Sequence, residues 1–360
     1  MTEISREAID TLALRLHPGG RVERVRQLGE DVALDGTEKG IGYGAPIEVD
    51  VREGDALHRL VLHTAKPNEY GHDRRADRAE AMLLAWDTFG SIPRHAPALD
   101  VGGVDAKGEL RSIADLGELY LVTGYLAGEV YADDLRRLAA GAMTTPRDLR
   151  RVDALADYLV ALHAERREGP ALYRRALRDL LGHGEGIFGI VDGYPTDTPA
   201  APAARLQALE AACHEARWTL RDGSARLCRT HGDFHPFNLL FDDQDALGVL
   251  DTSRGSLGDA ADDVVCLAIN FPFFALGHEG AWERLGPLWH RFLSRYLGRS
   301  GDAGLLEAAP PYLAWRALVL ASPAWYPHLA EEDRDALLCL AERVLARGAL
   351  ELGDAERMFS

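Results

Sequence analysis

The sequence predicts an α+β protein of two lobes, a small strand-rich one followed by a larger helical one. Strand-like apolar runs fall in the first third of the chain, at 22–28, 48–51 and 58–64. Helix-period apolar patterns dominate from Asp148 onward. A chain of 360 residues, 47% of them hydrophobic, is long enough for roughly two domains of about 150 residues, each with a core. Strands first and helices later is the order expected of an α+β arrangement rather than of alternating βα units.

Each element has a local reason. Ile9, Leu12, Leu14 and Leu16 give residues 5–16 a helical period, which stops before Pro18-Gly19-Gly20. The runs at 48–51 and 58–64 read as a hairpin about a turn at 52–56, and the glycine run Gly40-Ile41-Gly42-Tyr43-Gly44 precedes them. A helix is expected over 73–89, with Ala79, Met82, Leu83 and Trp86 on its apolar face and Glu80 among them. A carboxylate beside an apolar stripe is costly unless it is paired. Residues 97–113 read as two more strands, and 119–128 as an apolar strand ending in a glycine-containing connector.

The second part opens with a helix over 148–166 (Leu149, Val152, Leu155, Tyr158, Leu159, Leu162), followed by helical patterns at 172–181 and 203–220. Residues 182–190 between them are too glycine-rich for a stable helix. A short strand at 226–230 precedes two more, at 239–241 and 247–250, joined by the turn Asp242-Asp243-Gln244-Asp245. Asp259 can cap a helix. Helical stretches then run to 276 and over 279–297, 310–321 and 330–349.

Composition narrows the function. Forty basic and 57 acidic residues give a net charge of −17, which disfavours nucleic acid as a partner and suits a cationic small molecule. No run reaches the roughly 18 apolar residues of a membrane span. The N-terminus has no apolar signal region. Cys213, Cys228, Cys266 and Cys339 form no C-x-x-C pair, so neither a disulfide framework nor a zinc–thiolate site is expected. A cytoplasmic protein without a membrane partner is the expectation.

The stretch that carries chemistry is His231-Gly232-Asp233-Phe234-His235-Pro236-Phe237-Asn238, followed by Leu250-Asp251. It sets out a carboxylate, a carboxamide five residues on, and a second carboxylate after a short apolar strand. Phosphoryl transfer uses these groups: one acid to orient and deprotonate a hydroxyl, the amide and the other acid to hold Mg²⁺ against a nucleotide. The spacing matches the protein-kinase pattern H-R-D-x-x-x-x-N, with Gly232 in place of the arginine.

With Gly258-Asp259 and Asp263 following in order, this segment resembles the aminoglycoside phosphotransferase/choline kinase family, which has a protein-kinase-like fold. The resemblance implies a bilobal α+β fold with a small antiparallel-sheet lobe over 1–124 and a larger, mostly helical lobe over 125–360. It implies ATP and Mg²⁺ as cofactors, Asp233 as catalytic base, and Asn238 and Asp251 as metal ligands. His231 and Asp263 would brace the loop, Asp263 by accepting hydrogen bonds from its backbone, and His163 would pack nearby. Gly40, Gly42 and Gly44 would cover the nucleotide. Lys66, or His63 at the usual lysine position, would meet its phosphates and pair with Glu80. Val122 to Tyr125 would offer backbone groups to adenine. The implied acceptor is a hydroxyl of a small molecule, such as an amine-bearing antibiotic. A metabolite kinase of the choline, homoserine or sugar-amine type and a catalytically silent binding module are the alternatives.

Overall fold

A computed structural model describes residues 4–28 and 46–359. Gly40, Gly42 and Gly44 lie outside the described residues. The chain divides into two compact units, Met1–Thr123 and Gly124–Ser360.

In the first unit, helix α1 (Arg6–Leu16) begins at Ser5, whose hydroxyl accepts the Ala8 N–H and satisfies one of the free donors of the first turn. Three antiparallel strands follow, β1 (Arg21–Gln27), β2 (Ile47–Glu53) and β3 (Ala56–Leu62), with β2 in the centre. The strand period of two sorts the side chains of β2. Val49 and Val51 face Ile9 and Ala13 of α1 and form a small core. Glu48 and Asp50, also buried, lie beneath Arg24 and Arg26 of β1 and Arg59 of β3. Helix α2 (Arg75–Thr88) and a short ladder of β4 (Gly102–Val104) with β5 (Leu110–Ser112) complete this unit.

One expected strand is not formed. Residues 118–127 have no regular structure, and Leu119, Tyr120, Leu121, Val122 and Tyr125 are exposed. An apolar run becomes a strand only where a neighbour supplies hydrogen bonds, and no ladder among the described residues includes this one. Pairing resumes at β6 (Glu129–Val130), at the start of the second unit.

The second unit is largely helical. Helices α3 (Tyr131–Ala139) and α4 (Pro146–His163) come first, and α4 opens on a reciprocal cap between Thr145 and Asp148 with Pro146 at its first position. Helix α5 (Pro170–Gly182) follows. Contrary to the glycine-based expectation for 182–190, a short helix α6 (Ile187–Asp192) forms, because Ile187 and Ile190 bury into the core and offset the weak propensity. Helix α7 (Ala203–Leu220) leads to β7 (Leu227–Arg229), then to the hairpin β8 (Leu239–Phe241) and β9 (Leu247–Val249), with β6 paired to β8.

Strand β10 (Leu257–Asp259) pairs with β7 and runs into α8 (Ala260–Ala268). Helices α9 (Asn270–Ala275), α10 (Ala281–Ser300), α11 (Leu305–Ala321) and α12 (Glu331–Arg347) close the chain. Helix α11 is apolar on nearly every side and correspondingly buried on nearly every side, next to α8 and α12. Buried Asp259 caps α8, accepts the Tyr173 hydroxyl at 2.8 Å and receives two 2.8 Å bonds from Arg226, which also pairs with Asp302. This network fastens the β7–β10 ladder to the helices around it. Among the described residues, no helix is long and apolar enough to cross a membrane.

Candidate active site

The site grows from the β7–β10 ladder. Leu257 pairs with Arg229, and the Thr230 N–H donates to Ser256 O at 3.1 Å. The segments 230–238 and 250–256 therefore leave one ladder side by side. Gly232 has φ +83°, and a Cβ there would sit 2.4 Å from the Ser253 carbonyl oxygen. The arginine of the protein-kinase pattern has no room without moving that backbone. Gly232→Ala should destabilise the protein by about 1–3 kcal/mol, the range of a residue forced into an unfavourable backbone region. A urea midpoint equal to that of the wild type would contradict the close packing of these segments.

Asp263, in the first turn of α8, holds the loop by its backbone. Its two oxygens accept the His231 N–H at 2.8 Å and the Gly232 N–H at 2.7 Å. His163 Nε2 meets the same carboxylate at 3.0 Å, and His163 Nδ1 meets the Tyr296 hydroxyl at 2.8 Å. Burial raises the Asp263 pKa, but the His163 bond and the two backbone donors outweigh it and hold the carboxyl below its usual range.

His231 joins the two segments. Its Nε2 lies 2.7 Å from Leu250 O, and its Nδ1 accepts the Asp233 N–H at 3.2 Å. A carbonyl can only accept and an amide can only donate, so the ring is the neutral Nε2–H tautomer and acts as a brace. Leu250 is also tied through its own N–H, which donates to Asn238 O at 2.9 Å. Asp251 follows directly, with φ +50° and an exposed side chain. Among the described residues no hydrogen bond or ion pair occupies its carboxylate.

Asp233 and Asn238 are joined directly. The Asn238 amide donates to Asp233 Oδ2 at 3.2 Å and to the Asp233 carbonyl at 3.1 Å. His235 Nε2 is 3.3 Å from Asp233 Oδ2, while its Nδ1 accepts the Phe237 N–H. Arg316 donates to Asp233 Oδ1 at 2.8 Å. Burial works against ionisation of Asp233. The His235 hydrogen bond and the Arg316 guanidinium nevertheless hold its carboxyl well below the usual carboxylate range.

Arg316 is a feature that the motif did not reveal. It is the buried arginine of α11, and it also donates to Gly232 O at 2.9 Å and lies 3.5 Å from Asp262. Its guanidinium is 3.8 Å from the centre of the Trp315 ring, and that of Arg254 is 4.2 Å from the same ring. Arg254 in turn bonds Asp262 at 2.8 Å and Gly232 O. The visible signal was an arginine inside the run Pro-Tyr-Leu-Ala-Trp-Arg-Ala-Leu-Val-Leu, where a charge must find a buried partner.

His231, Asp233, Asn238 and Asp263 thus converge, and Asp251 follows a residue tied to both His231 and Asn238. Among the described residues, His63, Lys66 and Glu80 are not joined to one another. Strand β3 ends at Leu62, and His63 and Lys66 lie exposed beyond it. Glu80 is exposed on α2, a helix with no buried residue. Among the described residues no ion pair joins Glu80 to either cation. Val122 and Tyr125 lie exposed in the unpaired run described above.

Residues 51–293 match the family described as "Phosphotransferase enzyme family". The chain belongs to that phosphotransferase family. Its fold is α+β and protein-kinase-like, with a small antiparallel-sheet lobe and a larger, mostly helical one. Several solved structures are similar over most of this member's length. An aminoglycoside-3′-phosphotransferase of type VIII is 20% identical, with 87% of this chain and 97% of that one covered and a TM-score of 0.35. Choline kinase LicA from Streptococcus pneumoniae is 14% identical, with 95% and 98% covered and a TM-score of 0.37. A macrolide 2′-phosphotransferase of type I is 18% identical, with 98% and 100% covered and a TM-score of 0.32. No curated protein matches the phosphotransferase chain.

Proposed function

We propose that this phosphotransferase moves the γ-phosphate of Mg-ATP to a hydroxyl of a small, amine-bearing molecule, an aminoglycoside-like antibiotic being the first class to test. The observation that carries this reading is the hydrogen-bonded joining of Asp233 to Asn238, with Leu250 tied to the same loop and Asp251 next in the chain. Family membership supports the reaction type, and the net charge of −17 favours a cationic acceptor.

The donor set fits magnesium. Asn238 uses its amide nitrogen on Asp233, which leaves the amide oxygen as its free end. The Asp251 carboxylate is unengaged among the described residues. Both are hard oxygens of the kind Mg²⁺ takes. When bound there, the ion would neutralise phosphate charge and fix the phosphates relative to the acceptor.

Asp233 would receive the acceptor hydroxyl as a hydrogen bond. A carboxylate held well below its usual pKa is a weak base, so its work is orientation, and the proton moves late, as the new O–P bond forms. Arg316, Asn238 and His235 would fix the carboxylate's direction. The position of the oxygen then matters more than its basicity, because a reacting pair must be held about 3–3.5 Å apart.

The test is ADP release from Mg-ATP by the purified chain across amine-bearing antibiotics and metabolites that carry hydroxyls, with the product's phosphoryl gain read by mass spectrometry. One acceptor class should give Mg²⁺-dependent ADP and a phosphorylated product. Tight Mg-ATP binding with no acceptor turned over would favour a silent binding module instead.

A further inference from the structure

The first unit brings together three ligating groups that the phosphotransferase reading does not use. His17 caps the end of α1, Glu53 closes β2, and His58 lies on β3 opposite Val51. All three side chains are partly buried, and their nearest ligating atoms lie within 4.8 Å of one another. His17 Nδ1 is 3.6 Å from Glu53 Oε2, and His58 Nε2 is 3.5 Å from the same oxygen. The two rings stack at 4.0 Å with 21° between their planes, so both present an edge to the one carboxylate.

These separations are too long for N–H···O hydrogen bonds, which cluster at 2.7–3.2 Å. They are compatible with an ion shared between the three groups. A tetrahedral zinc with bonds of about 2.0–2.2 Å holds neighbouring ligand atoms roughly 3.4 Å apart. The ligands are also placed by regular structure, one at a helix end and two on a paired hairpin, so little ordering is needed on binding.

We propose that His17, Glu53 and His58 form a site for a zinc-class divalent cation, with the fourth position open to water. Two imidazoles and one carboxylate select such a borderline ion over Mg²⁺, which prefers oxygen ligands throughout. The site shares no residue with Asp233, Asn238 and Asp251 and does not depend on the reaction proposed for them. Its physical effect is to fasten the end of α1 to the β2–β3 hairpin, which stabilises the small α1–sheet core.

The test uses the full chain stripped with a chelator, then titrated with Zn²⁺ by calorimetry and with Co²⁺ by visible absorption. The wild type should bind Zn²⁺, melt at a higher temperature with it, and give the intense visible band of four-coordinate Co²⁺. His58→Gln and Glu53→Gln should each weaken Zn²⁺ binding at least as much as the roughly 10–100-fold that loss of an outer-shell partner costs, with unchanged circular dichroism. Asp251→Asn should leave Zn²⁺ binding unchanged. Equal Zn²⁺ affinity in both hairpin variants, no four-coordinate Co²⁺ band in the wild type, or loss of binding in Asp251→Asn would each overturn the site. If one hairpin variant does not fold, the other decides.

Discussion

Asp233→Ala is expected to lower kcat by about 10²–10⁴-fold, the range for loss of a positioned acid–base group. The fold should survive, because Asp233 is only half-buried and Arg316 would keep the Gly232 carbonyl and Asp262 as partners. The loss should fall on kcat rather than KM, since the acceptor hydroxyl meets the carboxylate most strongly as the new O–P bond forms. Asp233→Asn makes a sharper variant. It keeps the shape and one acceptor oxygen, so if orientation outweighs basicity it should retain more activity than alanine. Near-normal turnover by Asp233→Ala would remove this residue from the reaction.

The second large effect is expected at Arg316. Arg316→Met leaves Asp233 without its guanidinium and Asp262 with Arg254 alone, inside a helix packed on nearly every side. Breaking one side of a buried ion pair typically costs about 3–5 kcal/mol. Arg316→Lys should not rescue, because one ammonium cannot reproduce a fork that reaches the Asp233 carboxylate and the Gly232 carbonyl together.

The pH dependence has a definite sign. The Asp233 carboxyl is depressed in the folded protein, so its interactions stabilise fully above the unfolded value of about 3.9 and are lost as pH falls through the lower folded value. In Arg316→Met the carboxyl rises toward the ordinary range. The part of the acid transition that belongs to Asp233 should then shrink, and stability between about pH 3 and 5 should depend less steeply on pH than in the wild type. Urea midpoints across that range measure it. Identical slopes in the two proteins would show that Arg316 does not set the state of Asp233.

What could be read from the chain follows the range of the interactions involved. The helical period over 5–16, the strand runs on either side of the 52–56 turn and the acidic turn at 242–245 are local signals, and α1, β2–β3 and β8–β9 formed close to them. The pairing of Asp233 with Asn238 is equally local, because one short loop joins them. That of Arg316 is not. It meets Asp233 from 83 residues away, and the apolar composition of α11 says that the helix is buried without saying against what.

The run at 119–128 shows the opposite error. Its apolar residues satisfy a strand pattern, but a strand also needs a partner, and partners are non-local. Position 232 lies between these cases. The motif flagged its glycine as a departure from the kinase pattern, and the close approach of Ser253 supplies the physical cause.

Asp251 and Asn238 are proposed to serve, with Asp233, a single magnesium–nucleotide site. Calorimetric titration of ATP into the wild type and Asp251→Ala, each with and without Mg²⁺, tests this most directly. ATP should bind the wild type with a clear dependence on Mg²⁺, and Asp251→Ala should lose that dependence. Equal ATP binding by the wild type with and without the ion, or an Asp251→Ala titration that matches the wild type, would contradict it.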